Sequence, residues 1–322
     1  MSIAPDTLSS IGNTPTLQFT HLNAGSCRLF GKLEYHNPGG SIKDRIALSM
    51  INSAEQQGVI HPGDHLFEAT AGNTGMGLAL VAKQKGYHLT VVMPDKMSQE
   101  KADMLVAMGA TVVRTRSDVE KGHPEYYQDL AQRLCDDAKG YYINQFANPA
   151  NYQAHIDTTG PEIWRDFDGK VDAVVCAVGS GGTLTGLGRY LKSQNPDIEM
   201  VLADPEGSIL ADIVNGKTPG KPGSWLVEGG GEDFVPDICD LSLANHAFTI
   251  PDQESFSLCR HVYKEEGILV GTTSGMIIAA ALKYCQQQTT QKNVVCIVCD
   301  TGYKYLTKIF NDAWWQQNGL QP

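Results

Sequence analysis

At 322 residues and 34.9 kDa, the chain is long enough for about two domains, each with a buried core. Its 42% hydrophobic and 19% charged residues exclude disordered, collagen-like and coiled-coil classes. The 36 Asp and Glu against 25 Lys and Arg give a net charge of −11, which excludes partners whose phosphates or anionic lipids must be neutralised; neither nucleic acid nor membrane is expected. The amino terminus lacks a basic start followed by an apolar run, and no stretch approaches the roughly 18 apolar residues of a membrane span. The expectation is a soluble, cytoplasmic protein.

Short apolar runs alternate with helix-period segments, the signature of parallel sheets covered by helices, so the fold class is α/β with two sheets. Strands are predicted over 28–34, 64–69, 88–93, 111–115, 141–144, 171–178, 198–204 and 293–299. Helices are predicted over 41–57, 73–85, 98–108, 123–137, 182–193, 252–266 and 274–287. In 41–57, Ile42, Ile46 and Met50 with Ala47, Ile51 and Ala54 form one apolar stripe, which places Lys43 in the first turn. Residues 214–224, rich in Gly and Pro, read as an exposed, mobile loop.

Eight cysteines are scattered, mostly in apolar surroundings, which suits reduced core residues. Cys296 and Cys299 have redox or metal spacing, but strand alternation sends their sulfurs to opposite faces. The nine histidines show no metal spacing, and no metal is expected.

Four passages bear chemistry. In Gly39-Gly40-Ser41-Ile42-Lys43-Asp44-Arg45, a lysine enters a helix amid amide dipoles and apolar residues, which favour the neutral amine that attacks an aldehyde; the bland alternative is a surface lysine with Asp44 and Arg45 as solvated neighbours. In Glu68-Ala69-Thr70-Ala71-Gly72-Asn73-Thr74-Gly75, a strand leads into a helix, and Thr70, Asn73 and Thr74 supply donors that suit a carboxylate or phenolate oxygen, though an N-cap explains them equally. Gly179-Ser180-Gly181-Gly182-Thr183 follows a strand and opens a helix, an arrangement that takes phosphate. No Lys-Ser/Thr follows as in a nucleotide P-loop, and Leu184 replaces the third glycine of a dinucleotide fingerprint, with Asp204 about 20 residues on. Thr272-Thr273-Ser274-Gly275 reads as a capped helix start.

Together and in this order, these motifs resemble the fold-type II pyridoxal-phosphate enzymes of the cysteine synthase and cystathionine β-synthase family, from Ile11-Gly12-Asn13-Thr14-Pro15 to the region of Asp300. The resemblance implies a tryptophan synthase β-like architecture, with residues 42–148 as a smaller mobile domain and 1–41 with 149–322 as a larger one holding the cofactor phosphate. It implies Lys43 as the catalytic amine bound to pyridoxal 5′-phosphate. Asn73 would meet the cofactor's 3′-oxygen, Gly179, Ser180, Gly181, Gly182 and Thr183 its phosphate, and Thr273 its pyridine nitrogen. Thr70, Gly72, Thr74 and Gln145 would grip the substrate carboxylate.

The implied reaction is β-replacement on serine or O-acetylserine through an aminoacrylate, with a thiol as second substrate, in a homodimer. A hydroxyl at the ring nitrogen makes a weaker electron sink than an aspartate there would allow, which favours expelling a β-substituent. The stretches Lys96–Lys101, Asp204–Ile209, Val227–Pro236 and Thr307–Trp314 are more similar to the cystathionine β-synthase branch, favouring homocysteine over sulfide as acceptor. The chain begins and ends too near the catalytic core for a haem-binding extension or paired regulatory domains. Three departures or additions stand out: Ala71 where the family has serine, and Gly230 and Glu232 where the synthase loop has isoleucine and tyrosine. Tyr142 and Tyr303 are further candidates for the site. The competing classes are a nicotinamide-dependent oxidoreductase built on Asp204, a non-catalytic peptide-binding relative, and a serine or threonine dehydratase.

Overall fold

The computed structural model describes residues 3–70, 72–95 and 97–322. Ala71 and Lys96, both singled out in the sequence, lie outside the described residues.

In chain order the strands are β1 Thr16–Phe19, β2 Arg28–Leu33, β3 His65–Ala69, β4 His88–Pro94, β5 Thr111–Thr115, β6 Tyr141–Tyr142, β7 Ala173–Ala177, β8 Glu199–Pro205, β9 His246–Ile250 and β10 Asn293–Val298. The helices are α1 Lys43–Gln56, α2 Asn73–Lys85, α3 Gln99–Ala107, α4 Tyr127–Ala138, α5 Pro149–Ala154, α6 Gly160–Asp166, α7 Gly182–Gln194, α8 Leu210–Val214, α9 Asp252–Glu266, α10 Thr272–Gln286 and α11 Asp312–Gln317. A π-helical turn, His155–Thr159, joins α5 to α6. Among the described residues no helix is long and apolar enough to cross a membrane.

The chain divides into two compact units. The first comprises residues up to Ile11 with Asn37–Asn151; the second comprises Gly12–His36 with Tyr152–Pro322. In the first, four parallel strands run in the order β5-β4-β3-β6. In the second, six strands run β1-β2-β10-β7-β8-β9, all parallel except the β1–β2 pair. The expected α/β class with two mostly parallel sheets is therefore what forms. Its central strands, such as Ala173–Ala177 and Asn293–Val298, are apolar along nearly their whole length because helices cover both faces. Helix α10 is buried over Thr272–Ala281, so its sequence shows no polar face.

Two edge strands, β1 and β9, fall outside the predicted set. Each leaves part of its length exposed, so neither carries the apolar run of a central strand. The segment 149–166 is one helical run of α5, the π turn and α6, with Gly160 and Pro161 directly after the π turn. The 123–137 prediction begins four residues early, because residues 123–126 form turns before α4.

Candidate active site

In the first unit, the turn Asn37–Gly40 closes with Gly40 N–H donating to the Asn37 carbonyl at 2.8 Å, and the Asp44 carboxylate accepts from Gly39 N–H at 2.5 Å. Asp44 and Arg45 are buried, so the reading of Lys43 as a surface lysine flanked by solvated charges fails. Lys43 opens α1, and its amide donates to Ser41 Oγ at 3.2 Å. Helix α2 packs on α1 at this point: a Cβ added at Gly77 would stand 2.9 Å from the Lys43 carbonyl oxygen. Gly77 lies one turn below Asn73, so the close approach brings the amino end of α2 beside the amino end of α1.

That end of α2 gathers the other candidates of this unit. Gly72 is its N-cap, and Asn73 and Thr74 are its first two residues. Gly72 N–H donates to Thr70 Oγ1 at 3.4 Å, while Thr70 N–H is held by the Val92 carbonyl at 3.0 Å. From the far side of the sheet edge comes Gln145, whose Oε1 accepts from Thr74 Oγ1 at 2.7 Å. Thr70, Thr74 and Gln145 are all buried. The helix-start amides lack intrahelical partners and favour a negative guest.

In the second unit, β7 leads through Val178–Gly181 into α7. Gly181 has φ of +87°, and a Cβ there would lie 2.3 Å from Cys239 Cβ; both demand glycine. The segment Glu228–Gly231 packs across this loop, with Gly231 N–H donating to the Val178 carbonyl at 2.7 Å. Thr273, in the first turn of α10, donates its hydroxyl to the Glu228 carbonyl. Thus Gly179, Ser180, Gly181, Gly182, Thr183 and Thr273 are grouped within one unit around the Glu228–Gly231 segment. Burial raises the Cys239 thiol to about 12, so the sulfur beside Gly181 is an inert thiol at neutral pH.

Two residues here were missed in the sequence. His155 is buried, with Nδ1 2.9 Å from Thr159 Oγ1 and Nε2 3.3 Å from Thr183 Oγ1, backing the phosphate loop. Nothing in the sequence links positions 155 and 183, since a π-helical turn presents the ring. Glu68 is the other: fully buried in β3, it accepts from Gln145 N–H at 3.3 Å, and its signal was a charged residue inside an apolar strand. Of the further candidates, Tyr142 packs in a core cluster with Ala69, Val92, Leu130 and Ala131, and Tyr303 is exposed. Asp204 is buried, and its Oδ2 caps α8 through Ala211 N–H at 2.8 Å. Strand β10 ends one residue before Cys299, whose amide binds Ser274 Oγ at 2.9 Å, and among the described residues no disulfide and no metal-binding cluster forms.

The residues fit pyridoxal phosphate. A helix amino terminus with Ser180 and Thr183 and no carboxylate in the loop suits a dianion, and the space beside Gly181 admits no added carbon. A two-sheet α/β chain carrying such a loop, a lysine at a helix start and a threonine at the head of a third helix defines the class of fold-type II pyridoxal-phosphate enzymes. Residues 7–300 match the family described as "Pyridoxal-phosphate dependent enzyme", and the chain belongs to that family.

Over 322 residues the chain is 42% identical to a cystathionine beta-synthase of Rattus norvegicus, covering 99% of this chain and 57% of that protein. It is 39% identical to a cysteine synthase 1 of Neurospora crassa, covering 99% of this chain and 86% of that protein. Thus the chain spans little more than half the length of the rat relative. Among solved structures, a hydrogen sulfide-producing enzyme from Fusobacterium nucleatum superposes with a TM-score of 0.88 at 35% identity, covering 94% of this chain and all of that one.

Proposed function

We propose that the chain catalyses β-replacement on serine or O-acetylserine, with homocysteine as thiol acceptor. The observation that carries this reading is the 42% identity to a cystathionine beta-synthase over 99% of the chain. A second reading, O-acetylserine with sulfide, rests on the similarity to a cysteine synthase at 39% identity over the same share.

Pyridoxal phosphate, when bound, supplies the electron sink that makes the substrate's α-proton acidic and its β-substituent expellable. The protein's own residues do the rest. Lys43 would hold the cofactor through its amine, and as a free amine it would take the proton from the substrate Cα and return one there. Gly179–Thr183 fix the phosphate, Asn73 the 3′-oxygen and Thr273 the ring nitrogen. Thr70, Gly72, Thr74 and Gln145 orient the substrate carboxylate, so that proton removal occurs at one face of Cα.

Residues 42–148 are the smaller mobile domain in this reading, supported by the compactness of Asn37–Asn151, and kinship supports a cytoplasmic homodimer. Borohydride reduction followed by peptide mapping tests the cofactor assignment: a pyridoxyl group is expected on Lys43, and its appearance elsewhere refutes the scheme. Each donor is then assayed with each acceptor. Activity with sulfide alone rejects homocysteine in favour of the second reading.

A further inference from the structure

We propose that Glu68 is a positioning residue for the substrate carboxylate, holding Gln145 so that its side chain meets Thr74 at the amino end of α2. The inference rests on the assignment of Thr70, Gly72, Thr74 and Gln145 to that carboxylate.

Strand β6 pairs with β3 only through Tyr141 and Tyr142, opposite Leu66 and Phe67; Ile143 N–H then takes the Phe67 carbonyl at 3.0 Å. Asn144 has φ of +53° and turns the chain back. The next amide, that of Gln145, points at the Glu68 carboxyl and donates to Oε2 at 3.3 Å. Gln145 is pinned at two more places. Its carbonyl accepts from Asn151 Nδ2 at 2.8 Å, and its Oε1 accepts from Thr74 Oγ1 at 2.7 Å.

Glu68 is the only one of these anchors that reaches up from the strand itself. Its side chain is fully buried and no ion pair reaches it among the described residues, while the Ala69 and Asn144 amides and the Gln145 side chain also face the carboxyl. A strand-packing role would be served better by an apolar residue, since burying a carboxyl in a core costs free energy. The expense is explained if the carboxyl is needed to set the Gln145 turn. Burial raises this carboxyl to about 8, so at neutral pH it is an uncharged acid that does not repel an anionic guest nearby.

The test uses holoenzyme and two readouts, the cofactor spectrum on titration with L-serine and the cofactor content after gel filtration. Glu68→Leu strands the Gln145 amide, and serine binding is expected to weaken at least about tenfold, with cofactor content unchanged and KM raised more than kcat is lowered. Glu68→Gln keeps an acceptor of the same reach without charge, and affinity within about threefold of the parent is expected. Glu68→Asp withdraws the acceptor by one methylene; it should show the same selective loss, and it decides the matter if the leucine variant does not fold. Parent-like serine binding in both Glu68→Leu and Glu68→Asp overturns the proposal. So does equal loss in Glu68→Gln, or cofactor loss in parallel with serine affinity. A parent protein that binds pyridoxal phosphate but shows no response to serine or O-acetylserine overturns the reaction reading and this proposal together.

Discussion

Gly77→Ala sets two opposed effects against each other at the contact that brings α2 to Lys43. In a helix interior, alanine is favoured over glycine by about 1 kcal/mol, so propensity alone predicts stabilisation. The new Cβ, however, would lie 2.9 Å from the Lys43 carbonyl oxygen, 3.0 Å from its carbonyl carbon and 3.2 Å from Ala47 Cβ. Two of these three neighbours are main-chain atoms of α1, which cannot rotate away. Relief requires the helices to part by roughly half an ångström, and overpacking of that kind costs about 1–3 kcal/mol. The balance is a net destabilisation of about 1 kcal/mol, accompanied by a shift of Lys43 itself. Urea unfolding followed by far-ultraviolet circular dichroism measures the first effect through the midpoint, and the yield of borohydride-fixed cofactor on Lys43 measures the second. A midpoint that rises, with labelling unchanged, would show that propensity governs and that the close approach of the two helices imposes nothing on the lysine.

Gly181→Ala is expected to lose cofactor on gel filtration and to cost about 2–4 kcal/mol of stability, combining left-handed backbone strain with overlap on Cys239; retention of full cofactor content counts against the phosphate loop. Lys32 is fully buried, with Nζ 2.6 Å from the Thr14 carbonyl, 3.0 Å from Glu162 and 3.1 Å from Asp166, so Lys32→Met removes the cation beside buried Glu162, leaves Asp166 with Arg165 at 3.3 Å, and should cost about 3 kcal/mol in chemical denaturation. A loss below about 1 kcal/mol there would mean that the pair is solvated on removal. Burial pushes the Glu199 carboxyl up, but Lys292 at 2.6 Å, Tyr284 and His246 outweigh it and hold the group at about 2. Its folded value lies below its unfolded one, so it stabilises fully above about pH 4.5 and loses that contribution as pH falls toward 2. The contribution is at most about 3 kcal/mol and less after screening, and Glu199→Gln should flatten this limb of the stability profile.

The central strands and long helices were legible because burial on both faces writes apolar runs into β7, β8 and β10, and because Ile46, Met50 and Ala54 repeat along α1. What the sequence concealed has specific causes. Strands β1 and β9 are edges whose partly exposed residues carry no apolar run. Helices α5 and α6 are joined by a π-turn whose geometry no periodic pattern encodes. The same division holds at the site. Lys43, Asn73 and the Gly179–Thr183 loop stand out in the sequence because the proposed chemistry at a helix start demands particular residue types in consecutive positions. Glu68 and His155 do not, since each acts on a residue 28 or 77 positions away, and such pairings arise only when strand and helix are assembled.

In the proposed scheme a chain of net charge −11 receives two anions, the cofactor phosphate and the substrate carboxylate. At physiological salt the surface field is screened within about 8 Å, so the overall charge decides little once a ligand is seated. What decides binding is local, and here the local groups are backbone amides at the starts of α2 and α7 together with the hydroxyls of Thr70, Thr74, Ser180 and Thr183. Neither place relies on an arginine or lysine to neutralise the anion, and lysine enters only as the reacting amine. A full carboxylate beside such amides would cancel much of their field. The one carboxyl that lies next to the Gln145 amide is buried deeply enough to stay protonated at neutral pH. In the second unit Glu199 is matched to Lys292, and Glu162 and Asp166 are matched to Lys32. Under the proposed scheme, burial neutralises the acid beside the substrate carboxylate, whereas the framework acids Glu199 and Glu162 are held by neighbouring lysines.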